Sequence, residues 1–332
     1  MNVFLLAAGE GLRFRPYTEK MPKPAIPFCG VPLLYYSTFL IKNLNIKKVI
    51  INTFHLPEEI HRVGEALKAS GVEVYFSDES PNLLGSGGGI ANARQFLETS
   101  NIDDEIGFLT MNADEVIIPK IENILTDFYH FSKLSTNLST LLVMKHPEAG
   151  KKFGAVWVNQ QGKVKGFGKI PPQSKENLMP YHFIGPIYFK NKIFSYLKTE
   201  PSNILHDNLN YAISMGESIG IYPIECDWFE IGNLQDYLSA TKSFLQLLDT
   251  DHPFINHWKQ AFLTDWLLVK SSQAIILKHR SARLDNFINV EGFAVFGPNC
   301  KIASNVQIKD IVCSHNISLI ESEKKYQCDL FL

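Results

Sequence analysis

The chain has 332 residues, enough for one large domain or two of unequal size. Its 45% hydrophobic and 20% charged residues are the balance of a soluble globular protein, and a net charge of −2 argues against a nucleic-acid-binding surface spread over the molecule. Five scattered cysteines with no C-x-x-C pair argue against a disulfide framework or a zinc site, and no apolar run approaches the about 20 residues of a membrane span.

The first 130 residues alternate between two patterns. Val3-Phe4-Leu5-Leu6 is a short apolar run ended by Gly9, as expected of a buried parallel strand. Residues 31–44 carry apolar side chains at helical spacing, and 47–53 (KKVIINT) form another buried-strand run. Residues 56–70 read as an amphipathic helix stopped by Gly71. Residues 72–78 alternate like a strand, 87–100 read as a helix entered through glycines, and 106–114 (IGFLTMNAD) are a fourth strand ending in polar residues. Such alternation predicts a doubly wound, mostly parallel α/β sheet of Rossmann type, with ligands at the carboxyl ends of its strands. Further strands are expected at 142–147, 155–167 and 183–189, the middle one a hairpin turning at Asn159–Gly162.

From Leu234 the pattern is helical, with Leu234, Tyr237, Leu238, Thr241, Leu245 and Leu248 on one face. Pro253 breaks it, and a second helical stretch is expected to about Leu268. Beyond it, Leu284, Val290, Phe296, Ile302 and Ile308 are six residues apart. Ile288, Ala294, Cys300, Val306 and Val312 keep the same period, and Lys278 interrupts the first column. This is the hexapeptide pattern of a left-handed parallel β-helix, about two turns of it, whose ends need covering by the neighbouring domain or by another subunit of a homo-oligomer. The expected partition is therefore 1–250, a helical linker over 251–270, and the coil with its tail over 271–332. The cytoplasm is the expected compartment, since the N-terminus shows no charged leader followed by a long apolar core.

The chemistry concentrates in residues 6–24, LAAGEGLRFRPYTEKMPKP. Glycines after a strand let backbone N–H groups face phosphate oxygens. Arg13 offers a planar, multi-donor grip on pyrophosphate, and Lys23 is a compact charge on a backbone stiffened by Pro22 and Pro24. The Walker template G-x-x-x-x-G-K-[ST] finds no match, and the dinucleotide template G-x-G-x-x-G fails because Phe14 stands at its third glycine. The template LAAGxGxRxxPxTxxxPKP matches at every fixed position. On that motif the chain resembles the sugar-1-phosphate nucleotidyltransferases.

The resemblance continues along the chain and implies a site. Ala8, Gly9, Gly11, Glu79, Gly85 and Ser86 are expected on the nucleotide, the last two within LLGSGGGI. The Gly-Gly-Gly-Ile variant is most similar to mannose- or heptose-1-phosphate guanylyltransferases and N-acetylmuramate-1-phosphate uridylyltransferases, which implies guanylyl or uridylyl transfer. Asn112, Gly154, Lys169 and Gly185 are expected on the sugar phosphate, and Asp114 and Glu230 as ligands of Mg²⁺. Two departures stand out: Gly168 replaces a sugar-binding glutamate, and Glu230 replaces an aspartate. The implied reaction is NTP plus sugar 1-phosphate giving NDP-sugar and pyrophosphate, with Arg13 and Lys23 as the catalytic pair, no nucleic acid and no membrane involved. A non-catalytic regulatory or scaffold subunit of the same fold is the alternative. An acyltransferase role for the coil is a weaker one, since two turns are too few for the usual inter-subunit active site.

Overall fold

In the computed structural model, which describes residues 1–98, 107–285, 288–321 and 324–332, the opening apolar run is strand β1 (Asn2–Leu6). The chain continues through β2 (Pro27–Phe28), β3 (Val31–Pro32), α1 (Leu33–Leu40), β4 (Lys48–Thr53), α2 (Pro57–Glu65) and β5 (Glu73–Asp78). Then come α3 (Gly85–Asn92), α4 (Arg94–Leu97), β6 (Gly107–Asn112), β7 (Val116–Pro119), α5 (Ile124–Leu134), β8 (Ser139–Met144) and the hairpin β9 (Ala155–Val158) and β10 (Val164–Gly168). β11 (Met179–Lys190), α6 (Asn210–Ser214), β12 (Ile219–Pro223), β13 (Cys226–Phe229), α7 (Leu234–Leu247) and α8 (Pro253–Phe262) follow. The helix expected over 87–100 begins two residues earlier, and its last two positions lie outside the described residues. No described helix is long and apolar enough to cross a membrane.

Two compact units interleave along the chain, one of residues 1–10 and 40–228, the other of 11–39 and 229–332. The first holds a mixed nine-stranded sheet in the order β10-β9-β11-β6-β1-β4-β5, with β8 joined to β11 and β12 to β8. The run β6-β1-β4-β5 is parallel; β6, β1 and β4 read as continuous apolar runs because both their faces are buried, whereas β5, at the end of the order, alternates. β11 reverses direction and pairs antiparallel with β6, β8 and β9. The hairpin turns where expected, Gly162 N–H donating to the Asn159 carbonyl at 3.0 Å. Phe4, Ile50, Phe108, Leu141, Ile187 and Phe189 form the centre of this core. Register pairs Leu6 with Asn112, and Asn52 and Thr53 with Ser77 and Asp78, so β1, β4, β5 and β6 finish along one edge of the sheet.

In the second unit, α7 and the residue that ends it bury Tyr237, Leu238, Thr241, Leu245 and Leu248 of the expected stripe, while Leu234 at its start is only half-buried. Asn233 caps it, its side-chain oxygen accepting from Asp236 N–H at 3.0 Å. The second helix, expected to about Leu268, stops at Phe262, and Trp266–Lys270 is a strand, β14, paired antiparallel with β15 (Ala274–His279). Its backbone is claimed by a neighbour that helical spacing cannot reveal, and exposure alternates along Trp266-Leu267-Leu268-Val269. The 251–270 segment is thus a ten-residue helix followed by a five-residue strand.

The remaining strands are β16 (Arg283–Leu284), β17 (Asn289–Phe296), β18 (Lys301–Ile302), β19 (Gln307–Cys313), β20 (Ser318–Leu319) and β21 (Lys325–Phe331). They form sheets β14-β15-β17-β19-β21 and β16-β18-β20, parallel except for the β14–β15 pair. Partners such as Ala274 and Gly292, or Gln307 and Lys325, are 18 residues apart, three hexads. The ladder is longer than the side-chain columns suggest, because β15 and β21 extend it at both ends. Lys278 continues it, paired with Phe296 by backbone. Gly292, Asp310 and Cys328, again 18 apart, all have positive φ, so one sharp corner recurs along the stack.

His182 on β11 carries a testable consequence. It is 7% exposed, its ring lies 4.4 Å from that of Trp228 and 5.0 Å from that of Phe153, and neither ring nitrogen has a hydrogen-bond partner. Burial, with His146 as a smaller cause, pulls its pKa from 6.5 down to about 4. The folded state therefore favours the neutral ring. The stability this contributes is present above pH 6.5 and falls away as the pH drops towards 4, by about 3 kcal/mol in all. Urea unfolding at pH 7 and pH 4.5 should show that loss in the parent chain and a flatter profile in His182→Phe; equal slopes in the two proteins would refute it.

Candidate active site

At the strand edge of the first unit, β1 delivers Ala7 and Ala8, both buried. Asn52, near the end of β4, holds them: its Oδ1 accepts from the N–H of Ala7 at 2.5 Å and of Ala8 at 3.2 Å. Its Nδ2 donates to Glu79 Oε1 at 2.6 Å, and Glu79 Oε2 accepts from Leu84 N–H at 2.7 Å. Glu79 is only 3% exposed, and burial raises its pKa even against these two donors. The carboxylate thus spends both oxygens inside the protein, and the Ala8 N–H is already bonded. Asn52 was missed in the sequence, where its one signal is an amide standing inside an apolar run. Gly9 differs: it is exposed, and a Cβ there would meet nothing within 4 Å.

The glycine-rich stretch meets the segment at 200–208. A Cβ on Gly87 would lie 2.0 Å from Asn208 Oδ1, one on Gly88 2.2 Å from the Glu200 carbonyl, and one on Gly89 2.4 Å from Glu79 Oε1. Gly88 is therefore required by a backbone approach, and a Cβ at Gly87 or Gly89 would displace the Asn208 amide or the Glu79 carboxylate. Ser86 Oγ accepts from Ile204 N–H at 2.9 Å, so its hydroxyl also serves that junction. Gly85, with φ 66, is exposed.

At the end of β6 the structure brings together two expected residues and two others. Asn112, at the end of β6, donates from Nδ2 to Glu115 Oε1 at 2.6 Å. Glu115 Oε2 accepts from Trp228 Nε1 at 3.1 Å, and a Cβ on Gly185 would lie 3.2 Å from that same oxygen. Glu115 had no signal of its own in the sequence. Gly154 faces Gly168 across the base of the hairpin, its Cβ position 3.9 Å from the Gly168 Cα. Gly168 has φ 126, which a side-chain-bearing residue rarely adopts, so the absence of a glutamate there is tied to the backbone. Lys169 is exposed, and Asp114 is half-buried just after β6.

Gly11, Arg13, Lys23 and Glu230 belong to the second unit. Gly11 has φ 62, and its carbonyl accepts from Phe14 N–H at 2.8 Å and Thr18 Oγ1 at 3.0 Å. The Arg13 side chain is 74% exposed, with one guanidinium nitrogen 3.6 Å from Glu230 Oε1. This pairing was not foreseen from the sequence. Such an exposed ion pair contributes only about 0–1 kcal/mol, so it can yield to a more highly charged partner. Lys23 opens a short 3-10 turn with Pro22 before it and Pro24 after it. Asp114 and Glu230 are both partly exposed carboxylates, hard oxygen donors of the type Mg²⁺ takes while keeping several waters. Among the described residues no group of three or more potential ligands forms a metal cluster.

The Asn52 network makes a direct prediction. Asn52→Ala strips two buried N–H groups and one carboxylate oxygen of their partners, each costing about 1–3 kcal/mol. Denaturant unfolding should show a loss of that order or more, and a change below about 0.5 kcal/mol would contradict the network.

Residues 2–246 match the family model described as nucleotidyl transferase. Mannose-1-phosphate guanyltransferase beta-A of Xenopus laevis is 25% identical over 271 residues, 81% of this chain and 71% of the relative. UTP–glucose-1-phosphate uridylyltransferase of Synechocystis sp. is 23% identical over 330 residues, 94% of this chain and 82% of the relative. Among solved structures, a UDP-glucose pyrophosphorylase complexed with UDP-glucose superposes with a TM-score of 0.59 at 19% identity, covering 74% of this chain and 98% of that one. The inositol-1-phosphate CTP transferase from T. maritima gives 0.56 at 20% identity over 73% and 96%. These structures show the fold, the family match spans most of the chain, and the chain belongs to the nucleotidyl transferase family of enzymes.

Proposed function

We propose that this protein transfers a nucleotidyl group from an NTP to a sugar 1-phosphate, releasing pyrophosphate. The observation that carries the reading is the unbroken motif from Leu6 to Pro24. The exposed Arg13 and the proline-framed Lys23 lie on it as two separate cations. Residues 1–250 would carry the reaction, in line with the family match over 2–246. The C-terminal stack, with its 18-residue register, is read as a short left-handed parallel β-helix, through which a homo-oligomer would form.

The nucleophile in this reaction is a phosphate oxygen already ionised near neutral pH, so no general base is needed. Positioning and charge neutralisation do the work. Arg13 stabilises the departing pyrophosphate and Lys23 draws charge from the α-phosphate. Lys169 orients the acceptor phosphate, while Gly9, Gly11 and Gly85 let the backbone approach the nucleotide. Asn112, Gly154 and Gly185 face the sugar phosphate. Asp114 and Glu230 would hold Mg²⁺, whose charge when bound offsets that of the phosphates; these two assignments rest on motif order in the sequence. Glu79, Ala8 and Ser86 are better read as shaping the nucleotide side from within, given their internal hydrogen bonds. Guanylyl or uridylyl transfer is preferred, supported by relatives named for those two reactions. A non-catalytic subunit is not favoured, because such a protein has no chemical need for Arg13, Lys23 and Asp114 together.

The decisive assay is pyrophosphate release with Mg²⁺ across a matrix of NTPs and sugar 1-phosphates. One pair should stand out, and silence across the matrix would refute the proposal. On the active pair, Asp114→Asn and Lys23→Ala should each lower turnover by about 100-fold or more while the folded-state circular dichroism is unchanged. Near-parent turnover in either would remove that residue from the mechanism.

A further inference from the structure

The loop carrying Arg13 and Lys23 is a run of short pieces: 3-10 turns at Leu12–Phe14, Tyr17–Glu19 and Lys23–Ala25. Turns this short do not hold their own conformation, so whatever packs on them decides where the two cations stand. Phe14 is 1% exposed, its ring 5.5 Å from those of Tyr17 and Tyr237. The Tyr237 hydroxyl donates to the Pro27 carbonyl at 2.5 Å. Trp266 of β14 covers Gly30, where a Cβ would fall 2.2 Å from its ring.

Tyr17 reaches furthest along the chain. Its hydroxyl donates to Asp329 Oδ1 on β21, the last strand of the C-terminal stack. The same oxygen accepts from Leu330 N–H at 2.8 Å, so the carboxylate is also held by its own strand. Burial, and then Asp329, push the Tyr17 pKa up to about 12, which keeps the donor protonated throughout any neutral assay. A hydrogen bond to a charged acceptor is among the stronger and more directional contacts a loop can make. It falls between Arg13 and Lys23, four residues after one and six before the other.

We propose that Asp329, acting through Tyr17, is a positioning residue for the Arg13–Lys23 loop, making the C-terminal stack a working part of the transfer machinery. The proposal rests on the functional reading above for its catalytic readout. Its structural readout stands apart from that reading.

The test uses the full chain with Tyr17→Phe, Asp329→Ala, the double variant, and Asp329→Asn, which keeps an acceptor for the hydroxyl. Both single deletions should lower kcat/KM for the NTP by about 10- to 100-fold, since small misplacements of catalytic groups cost rates of that size. KM for the sugar 1-phosphate should hold. The double variant should be no worse than either single one, and Asp329→Asn should recover most of the loss. Amide hydrogen exchange at residues 11–24 should quicken in Asp329→Ala while that at 289–313 is unchanged. Additive losses, equal losses on both substrates, or parent-like kinetics overturn the proposal. If the parent chain transfers nothing, the functional reading fails on its own, and exchange decides the matter: unchanged rates at 11–24 overturn the positioning role.

Discussion

The aromatic packing that captures residues 11–39 is the constraint on which the second unit depends. Phe28 packs its ring 5.5 Å from Tyr36, 5.8 Å from Tyr237 and 5.3 Å from Phe244. Trp258 closes the cluster at 5.0 Å from Tyr36 and 5.1 Å from Phe244. Each such pair adds about 0.5–1.5 kcal/mol beyond the area it buries, and several share members. The segment they hold has little regular structure of its own: 3-10 turns, a hairpin of two-residue strands, and one helix. Its conformation is therefore bought by partners more than 200 positions away in the sequence. That is how Arg13 comes to lie beside Glu230, two residues that no local pattern connects.

The first unit solves a different problem at the ends of its parallel strands. Chain ends there must turn, and turning exposes backbone donors that the sheet no longer satisfies. Asn52 takes two of them and passes the interaction to Glu79, which ties in the start of α3 through Leu84. Burying a carboxylate is costly, and the raised pKa of Glu79 shows that burial outweighs its two donors. The return is rigidity, because a satisfied buried network leaves each member one arrangement. Polar groups at this edge thus divide by exposure. Glu79 and Asn52 are sealed in and bonded to protein, whereas the backbone at Gly9 is exposed.

Most of this was legible because the patterns that announce it are local. β1 and β4 are continuous apolar runs, and α7, fourteen residues long, buries one face from Tyr237 to Leu245. The hexad columns follow from a backbone that repeats every 18 residues. What escaped was set by partners across space. β14 carries Trp, Leu and Val beyond a helix and becomes a strand only because β15 lies beside it. β15 and β21 extend the ladder through backbone hydrogen bonds, which place no demand on Lys278 or Gln327 as residue types. Asn52 and Glu115 are ordinary polar residues until Ala7, Ala8, Asn112 and Trp228 are brought to them.

The two departures from the family pattern turn out to have different physical standing. At position 168 the departure is conformational. With φ 126, the backbone is in a region that disfavours any Cβ, and its carbonyl accepts from Trp157 Nε1 at 2.9 Å. A glutamate there would need a different path for the end of β10, so the missing carboxylate and the shape of the hairpin are one feature. At position 230 the departure is only one of reach. Glu230 is partly exposed, and its longer side chain brings the carboxylate to 3.6 Å from the Arg13 guanidinium. An exposed pair of that kind contributes only about 0–1 kcal/mol and is weak enough to exchange partners. The departure at 168 is thus written into the backbone, and the one at 230 is a matter of side-chain length alone.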